Sequence, residues 1–148
     1  AHILWKKKEN ENFLSKKYSR EHTWILKNGI EIQASSSPYV VPIPLSNENV
    51  ADPEECFTAC ISSCHMLFFL SVCTSLGYTV ESYSDFAEGI LGMNSEGKKA
   101  IVQVNLKPNV IFSGTGIPDN NQIKQMHETA HNQCYLANSV KSEIKIFA

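Results

Sequence analysis

Residues 52–77, DPEECFTACISSCHMLFFLSVCTSLG, decide the fold of this chain. Asp52 is a favourable N-cap, Pro53 suits the first helical position, and Glu55 stands where a capping box places its acidic residue. After Glu55 the segment has no charged residue, and Gly77 is a typical helix stop. The pattern predicts one helix of about 24 residues, roughly 36 Å long.

This helix is apolar on nearly every side, so it either crosses a membrane or is surrounded by protein. A membrane span needs about 20 strongly apolar residues with basic flanks. Here the near flank is acidic, and polar side chains interrupt the run: Ser62, Ser63, His65, Ser71, Thr74 and Ser75. The sequence therefore predicts a buried central helix and no membrane insertion.

Strand patterns surround the long helix. Residues 2–20 carry the densest charge and are interpreted as a solvated arm or an edge strand. In HTWILKNGIEIQA, residues 22–34, Asn28-Gly29 separates two apolar runs, which predicts a hairpin with a two-residue turn. Further strands are predicted over residues 78–89 and 99–114, and Pro108 breaks the second of these runs. SEIKIF closes the chain with a last strand.

A second helix is predicted after Ile117-Pro118-Asp119, with an apolar stripe at Ile123, Met126, Ala130 and Cys134. The order of strands, long helix, strands, helix and strand is typical of an α+β fold. With 148 residues, 43% of them hydrophobic, the chain is expected to form one domain over residues 1–148.

Charge and cysteine usage narrow the function classes. Thirteen Lys and Arg residues against fifteen Asp and Glu residues argue against nucleic acid as a partner, because duplex binders need a basic face. No secretory signal pattern is present at the start of the sequence. Five cysteines are an odd number, and four of them lie within residues 56–73. That crowding favours a reducing compartment, so a cytoplasmic location is expected.

One segment matches a metal-site motif. His127-Glu128-Thr129-Ala130-His131 fits H-E-x-x-H, the pattern of zinc hydrolases. The segment is largely polar, and its one nearby candidate ligand is Cys134. The favoured interpretation is a pair of partly exposed histidines without metal. A zinc hydrolase, or a structural zinc held with a distant cysteine, stays open as an alternative.

Three cysteines, Cys56, Cys60 and Cys64, recur every four residues and line one stripe of the long helix. Packing accounts for most of this stripe, because free cysteine behaves as a small apolar group. Cys64 differs from the others. It stands in the small, polar segment SSCH, and the solitary Cys134 far downstream offers it a partner.

These features together resemble the OsmC/Ohr family of organic hydroperoxide reductases. The resemblance rests on Asp52-Pro53-Glu54-Glu55, on Cys64 ten residues after Glu54, and on Cys134 in AHNQCYLANSV. It covers nearly the whole chain, and YSREHTW, SSCHM and ANSV are similar to an OsmC-like subgroup. It implies an intertwined α+β homodimer whose long buried central helices are wrapped by antiparallel sheets.

The same resemblance implies an antioxidant, stress-response peroxidase that reduces organic hydroperoxides to alcohols without a cofactor. It matches the peroxidatic cysteine, which forms a sulfenic acid, to Cys64, and the resolving cysteine, its disulfide partner, to Cys134. It matches the assisting pair to Glu54 and Arg20, the only arginine of the chain. The family's usual glycine-rich segment around this arginine is missing here. The implied reductant is a lipoyl protein, a thioredoxin or a small thiol.

Physical chemistry gives roles to the assisting pair. A thiolate, not a thiol, attacks a peroxide. Cys64 lies about twelve residues into an apolar helix, beyond the reach of the helix dipole, so an external cation is required. A guanidinium stays charged when buried and can hold a carboxylate at the same time. We therefore expect Arg20 to activate Cys64 and Glu54 to hold Arg20.

Helix geometry adds a prediction about assembly. Ten residues of continuous helix separate Glu54 from Cys64 by roughly 15 Å, too far to share one small site. Either the helix breaks between them, or the glutamate beside each Cys64 comes from the partner subunit. Because residues 54–64 contain no Gly or Pro, the second arrangement is expected. Apolar side chains are candidates for a pocket that takes the organic part of the peroxide: Tyr39, Phe57, Ile61 and Phe68. The alternative from another class is a binding or structural module with inert cysteines.

Overall fold

The computed structural model describes residues 1–148, and these form two compact units, residues 1–56 and residues 57–148. Both units contain β-sheet, and the two long helices give the chain a mixed α and β content. The predicted α+β class is therefore confirmed.

The N-terminal unit is built on a three-stranded antiparallel sheet with the order β1-β2-β3. Its strands are β1 (His2–Leu4), β2 (His22–Ile25) and β3 (Glu31–Ala34). The predicted hairpin is confirmed, but its turn has three residues, Lys27–Gly29, and not two. The Leu26 N–H donates to the Ile30 carbonyl at 2.7 Å, which fixes this length. Asn28 and Gly29 both have positive φ, which these residue types tolerate.

The long helix α1 (Pro53–Ser75) begins and ends close to where the sequence predicts. The Asp52 carboxylate accepts a hydrogen bond of 2.7 Å from the Glu55 N–H, and Gly77 leaves the helix with a φ of 80°. By length and composition α1 would be able to cross a membrane, a criterion that the core helix of a soluble protein meets equally well.

One face of α1 is buried by its own chain, and the opposite face is open. The buried stripe consists of Thr58, Ile61, His65, Phe69, Val72 and Cys73. On the open face Cys60 is exposed, and Leu67 keeps 61% of its surface accessible. A second subunit that covers this open face stays a prediction.

The C-terminal unit holds two sheets. In the first, β4 (Thr79–Asp85) pairs antiparallel with β7 (Pro108–Ser113). In the second, the order is β5-β6-β8, where β5 is Glu88–Met93, β6 is Lys99–Leu106 and β8 is Glu143–Ile146. β5 runs antiparallel to β6, whereas β8 runs parallel to it, an exception to the expected antiparallel pattern.

The strand predicted over residues 78–89 is wrong as one element. β4 ends at Asp85 and β5 begins at Glu88, because the two strands belong to different sheets and the chain changes sheet between them. β5 also continues to Met93, beyond the predicted end.

The second helix, α2 (Asn120–Gln133), has a complete capping box. The Asp119 carboxylate accepts from the Gln122 N–H at 2.9 Å, and the Gln122 side chain accepts from the Asp119 N–H at 2.8 Å. The predicted apolar stripe packs against α1 in a core of Phe69, Val72, Cys73, Met126 and Ala130. A second core of Ile61, Val104 and Leu106 lies between α1 and the β5-β6-β8 sheet. The two cores hold α2, and α1 from Phe57 onward, in the C-terminal unit.

Candidate active site

The structure brings together two cysteines that are 70 residues apart in the sequence. Cys64 lies in the middle of α1, and Cys134 caps the C-terminal end of α2. The Cys134 Sγ donates a hydrogen bond to the Cys64 Sγ at 2.8 Å, and both thiols are free. The two sulfurs therefore lie within reach of each other, as the formation of a disulfide requires.

The two thiols lie in different surroundings. Cys134 is completely buried, whereas Cys64 is partly exposed. Burial raises the pKa of the Cys134 thiol, and its hydrogen bond to Cys64 raises it further, against an opposing hydrogen bond of 3.5 Å from the Ala137 N–H. The protonated form of Cys134 is therefore favoured, and Cys64 is the more accessible of the two sulfurs.

Arg20 lies in the N-terminal unit, after the long loop that follows β1. Its Nη1 donates to the carbonyls of Lys16, at 3.1 Å, and Tyr18. Its guanidinium carbon lies 3.7 Å from the centre of the Tyr18 ring, within the range of a cation–π contact. These contacts fix the direction of the guanidinium and leave its other nitrogens for further partners.

An aromatic cluster supports Tyr18 in turn. The Tyr18 ring stacks on Phe13 at 4.7 Å and meets Trp5 edge-on at 5.5 Å. The Trp5 indole N–H donates to the Ser19 carbonyl at 2.8 Å. The charged arm is therefore an edge strand followed by a loop with its own apolar cluster. In the sequence, the three aromatic residues of this segment are the signal that could have indicated the apolar cluster.

Glu54 is partly buried in the first turn of α1 and belongs, like Arg20, to the N-terminal unit. Cys64 and Cys134 belong to the C-terminal unit. A single site made of all four residues stays a prediction. α1 is continuous from Pro53 to Ser75, the condition on which the cross-subunit prediction depends.

His65 and His127 form a buried pair that the sequence did not predict. The Nε2 of His65 lies 2.9 Å from the Nδ1 of His127, and the two rings are nearly parallel, at 9°. His127 also stacks on Phe69, with ring centres 4.0 Å apart. The expectation of a partly exposed His127 is wrong, because its side of α2 packs on α1 and leaves 2% of its surface accessible.

Both imidazoles are held in the neutral form. Burial lowers the pKa of His65 to about 4, with a further lowering by His131 and an opposing effect of Asp85. Burial likewise lowers the pKa of His127 to about 4, and His65 adds to this shift. One ring therefore donates the shared proton and the other accepts it near neutral pH.

The metal-site motif has a different geometry from the one its pattern suggests. His127 is hydrogen-bonded to His65, Glu128 is exposed, and His131 is partly buried. No group of three or more His, Cys, Asp or Glu side chains is placed to hold a metal ion. Nothing in this arrangement favours the hydrolase alternative.

The four apolar pocket candidates lie in different surroundings. Ile61 is a core residue with 1% exposure, and Phe68 packs edge-on against Tyr135 at 5.1 Å. Phe57 lines an open cavity of about 780 Å³ in the C-terminal unit. Tyr39, in the N-terminal unit, is 99% exposed. In the single chain, Ile61 therefore serves packing.

Comparison with known families identifies the family to which the chain belongs. A family model described as OsmC-like protein matches residues 46–147. The chain belongs to the OsmC/Ohr family. An OsmC-like protein of unknown function from Vibrio cholerae O1 biovar eltor is 51% identical and superimposes with a TM-score of 0.96, over 99% of this chain and 95% of that one. This OsmC-like chain therefore has a close structural relative.

More distant structures share the fold. An organic hydroperoxide resistance protein from Elizabethkingia anophelis is 21% identical, with a TM-score of 0.66 over 86% of this chain and 85% of its own. The organic hydroperoxide resistance protein OhrB of Bacillus subtilis is 15% identical, with a TM-score of 0.67 over 86% and 90%. No match was found among the curated proteins. These structural similarities show that the chain shares its fold with both proteins.

Proposed function

We propose that this OsmC-like chain is a thiol-dependent peroxidase that reduces organic hydroperoxides to alcohols. Cys64 is the peroxidatic residue and Cys134 the resolving residue. The protein acts as a single-domain homodimer in the cytoplasm, without a cofactor. A lipoyl protein, a thioredoxin or a small thiol supplies the electrons.

Two steps on the protein account for the reaction. In the first, the Cys64 thiolate attacks one peroxide oxygen, the O–O bond breaks, and the alcohol leaves after taking a proton. Cys64 becomes a sulfenic acid. In the second, the Cys134 sulfur attacks the Cys64 sulfur, the S–O bond breaks, and water leaves with the Cys134 proton. The external reductant, one dithiol or two equivalents of a monothiol, then reduces the disulfide.

The observation that carries this proposal is the pair of thiols at 2.8 Å, with the buried one donating to the partly exposed one. Attack on a peroxide requires access at Cys64, and disulfide formation requires Cys134 within reach. A binding or structural module needs neither condition. Among the five cysteines of the chain, the structure pairs these two.

Arg20 and Glu54 complete the proposed site. Arg20 stabilises the Cys64 thiolate by its charge, and Glu54 of the partner subunit holds the guanidinium in place. The contacts of Arg20 with Tyr18 and with the Lys16 carbonyl support a fixed guanidinium. Such a cation favours the reactive form of a thiol that lies in apolar surroundings.

Consumption of cumene hydroperoxide tests the proposal directly. We expect the protein to consume it with dithiothreitol and with dihydrolipoamide, and thioredoxin provides a third arm. Cys60→Ser, which keeps the size of a side chain on the open face of the same helix, is the matched control and is expected to keep activity. Folded protein that consumes no peroxide with any of the three reductants would favour the binding module.

The hydrolase alternative has its own measurement. Protein purified without added metal is expected to contain no stoichiometric zinc, by elemental analysis. One zinc per chain, together with hydrolase activity lost to a chelator, would reverse this ranking.

A further inference from the structure

The His65–His127 hydrogen bond lies at the contact between the two helices that carry the thiols. His65 directly follows Cys64 on α1, and His127 lies two turns before Cys134 on α2. Their nitrogens are 2.9 Å apart, and the side chains keep 1% and 2% of their surface exposed. This hydrogen bond is therefore buried within the same contact of α1 with α2 that brings Cys134 close to Cys64.

Stability alone does not account for this pair. Apart from the shared bond, the Nδ1 of His65 and the Nε2 of His127 are buried without a hydrogen-bond partner. A buried unsatisfied polar group costs roughly 1–3 kcal/mol. The surrounding core, with Phe69, Met126 and Ala130, is apolar, so an apolar pair would avoid that cost. The hydrogen bond between the imidazoles is directional, so it fixes one register of the two helices. Apolar contacts alone would allow several registers.

The other polar contacts between α1 and α2 involve sulfur. They are the Cys64–Cys134 pair at 2.8 Å and the Cys73–Met126 pair at 3.8 Å. Sulfur is a weak donor and a weak acceptor, so neither contact fixes the helices strongly. A slide of α2 by one helical turn, about 5.4 Å, would take Cys134 out of disulfide reach of Cys64.

We propose that the His65–His127 hydrogen bond sets the register of α2 on α1 and thereby holds Cys134 in position for disulfide formation with Cys64. His65 and His127 are positioning residues for the resolving step. This inference rests on the proposed function for its biological role. The step itself forms the S–S bond, breaks the S–O bond of the Cys64 sulfenic acid and releases water that carries the Cys134 proton.

Isosteric variants separate the bond from the packing. His65 bonds through Nε2, which a glutamine amide reproduces, and His127 through Nδ1, which an asparagine amide reproduces. His65→Gln and His127→Asn are expected to keep disulfide formation within about threefold of wild type. His65→Leu and His127→Leu fill the space without the bond, and we expect disulfide formation at least tenfold slower. Phe69→Leu, which loses the stacking on His127 and keeps the bond, is the matched control and is expected to stay near wild type.

Two measurements report the effect. After one equivalent of cumene hydroperoxide, rapid quenching with dimedone and mass spectrometry follow the Cys64 sulfenic acid and the disulfide separately. The leucine variants are expected to form the sulfenic acid within about twofold of the wild-type rate and to accumulate it. In glutathione redox buffers, the effective concentration of the two thiols is expected to fall at least tenfold in the same variants.

The glutathione measurement needs no peroxidase activity, so it separates this inference from the proposed function. If wild type forms the disulfide in glutathione but no sulfenic acid with peroxide, the proposed function fails and the positioning test still decides. Wild-type effective concentration in folded leucine variants would overturn the inference. An equal loss in the isosteric variants would also overturn it, since packing would then be responsible. If a leucine variant does not fold, His65→Asn, whose amide is too short to reach His127, replaces it with the same expected loss.

Discussion

The Cys134 Sγ donates a hydrogen bond to the Cys64 Sγ across 2.8 Å, and only the acceptor is partly exposed. This asymmetry divides the proposed reaction between the two residues. In the proposed reaction a peroxide would reach Cys64 first, and Cys134 would act only after Cys64 has been oxidised. Replacing one or the other should therefore stop the reaction at different points.

The first prediction concerns these two replacements. Cys64→Ser is expected to lose peroxide consumption by at least 100-fold, because the proposed reaction starts at the Cys64 thiolate. Cys134→Ser is expected to be oxidised once and to accumulate a sulfenic acid on Cys64, trapped by dimedone and located by mass spectrometry. Exposed Cys60→Ser is the control. Turnover at the wild-type rate in Cys64→Ser would show that the nucleophile has been misassigned.

The second prediction concerns Arg20 and its aromatic support. Arg20→Lys keeps the charge but not the planar contact with Tyr18 or the fork of donors, so kcat/KM for cumene hydroperoxide is expected to fall at least tenfold. Tyr18→Phe keeps the ring and is expected to stay near wild type, whereas Tyr18→Leu is expected to be slower. Full activity in Arg20→Lys would mean that charge alone, without direction, is sufficient.

Local signals in the sequence were enough to place the two helices. Asp52 and Gly77 bound α1, and Asp119 precedes α2, because each signal acts within a few residues. β5 was partly missed. Its sequence EGILGM contains Gly89 and Gly92, which interrupt the usual strand pattern, and its place depends on pairing with β6.

The candidate site likewise contains residues that the sequence predicted and residues that it did not. Cys64 and Cys134 stood out because of their residue type and setting, and the structure brings them into contact. The His65–His127 bond joins residues 62 positions apart, and no local pattern marks such a contact. The exposed expectation for His127 followed from its polar neighbours in sequence. Those neighbours lie on the other side of α2, so the average polarity of the segment was misleading.

The third prediction is a loss of stability in acid that depends on the histidine pair. The pKa of each imidazole is lowered from 6.5 to about 4, so the unfolded chain binds more protons between those values. The free energy of unfolding should therefore fall as the pH decreases from 6.5 towards 4. The loss is on the order of 3 kcal/mol for each group that titrates independently.

Urea unfolding at several pH values between 7.5 and 4.5 measures this dependence. His65→Gln, which removes one titrating group and keeps the bond, is expected to show a shallower decrease than wild type. The charged or titrating groups that influence His65 are His131 and Asp85, so the comparison is made between variants that keep both. Equal slopes in the two proteins would show that the histidine pair does not control acid stability.

The fourth prediction tests how closely β5 approaches α1. A Cβ added at Gly89 would overlap the Thr58 Oγ1 and lie 3.6 Å from a methyl carbon of Ile101. Gly89→Ala is therefore expected to lower the free energy of unfolding by about 1–3 kcal/mol, the usual cost of overpacking. Gly116→Ala is the control, because nothing lies within 4 Å of an added Cβ there. A double-mutant cycle with Thr58→Ala should recover part of the loss; additive losses would contradict the contact.

The last prediction is that the site is completed across a homodimer, with Glu54 of one subunit serving Cys64 of the other. α1 runs without interruption from Pro53 to Ser75, so its second residue cannot fold back to its twelfth. Two such helices packed side by side through their open faces would be able to align these positions. The exposed Cys60 and Leu67 mark that face in the single chain.

Mixing two inactive variants tests this arrangement. Glu54→Ala and Cys64→Ser are each expected to lack activity as homodimers, and subunits are exchanged by mild denaturation and refolding. A mixed dimer then contains one site in which native Glu54 and native Cys64 meet from different chains. Since random exchange makes half of the dimers mixed and each has one such site, about a quarter of the wild-type activity is expected. If native mass spectrometry verifies exchange and no activity returns, each subunit must build its site alone, and the continuous α1 would then require another residue beside Cys64.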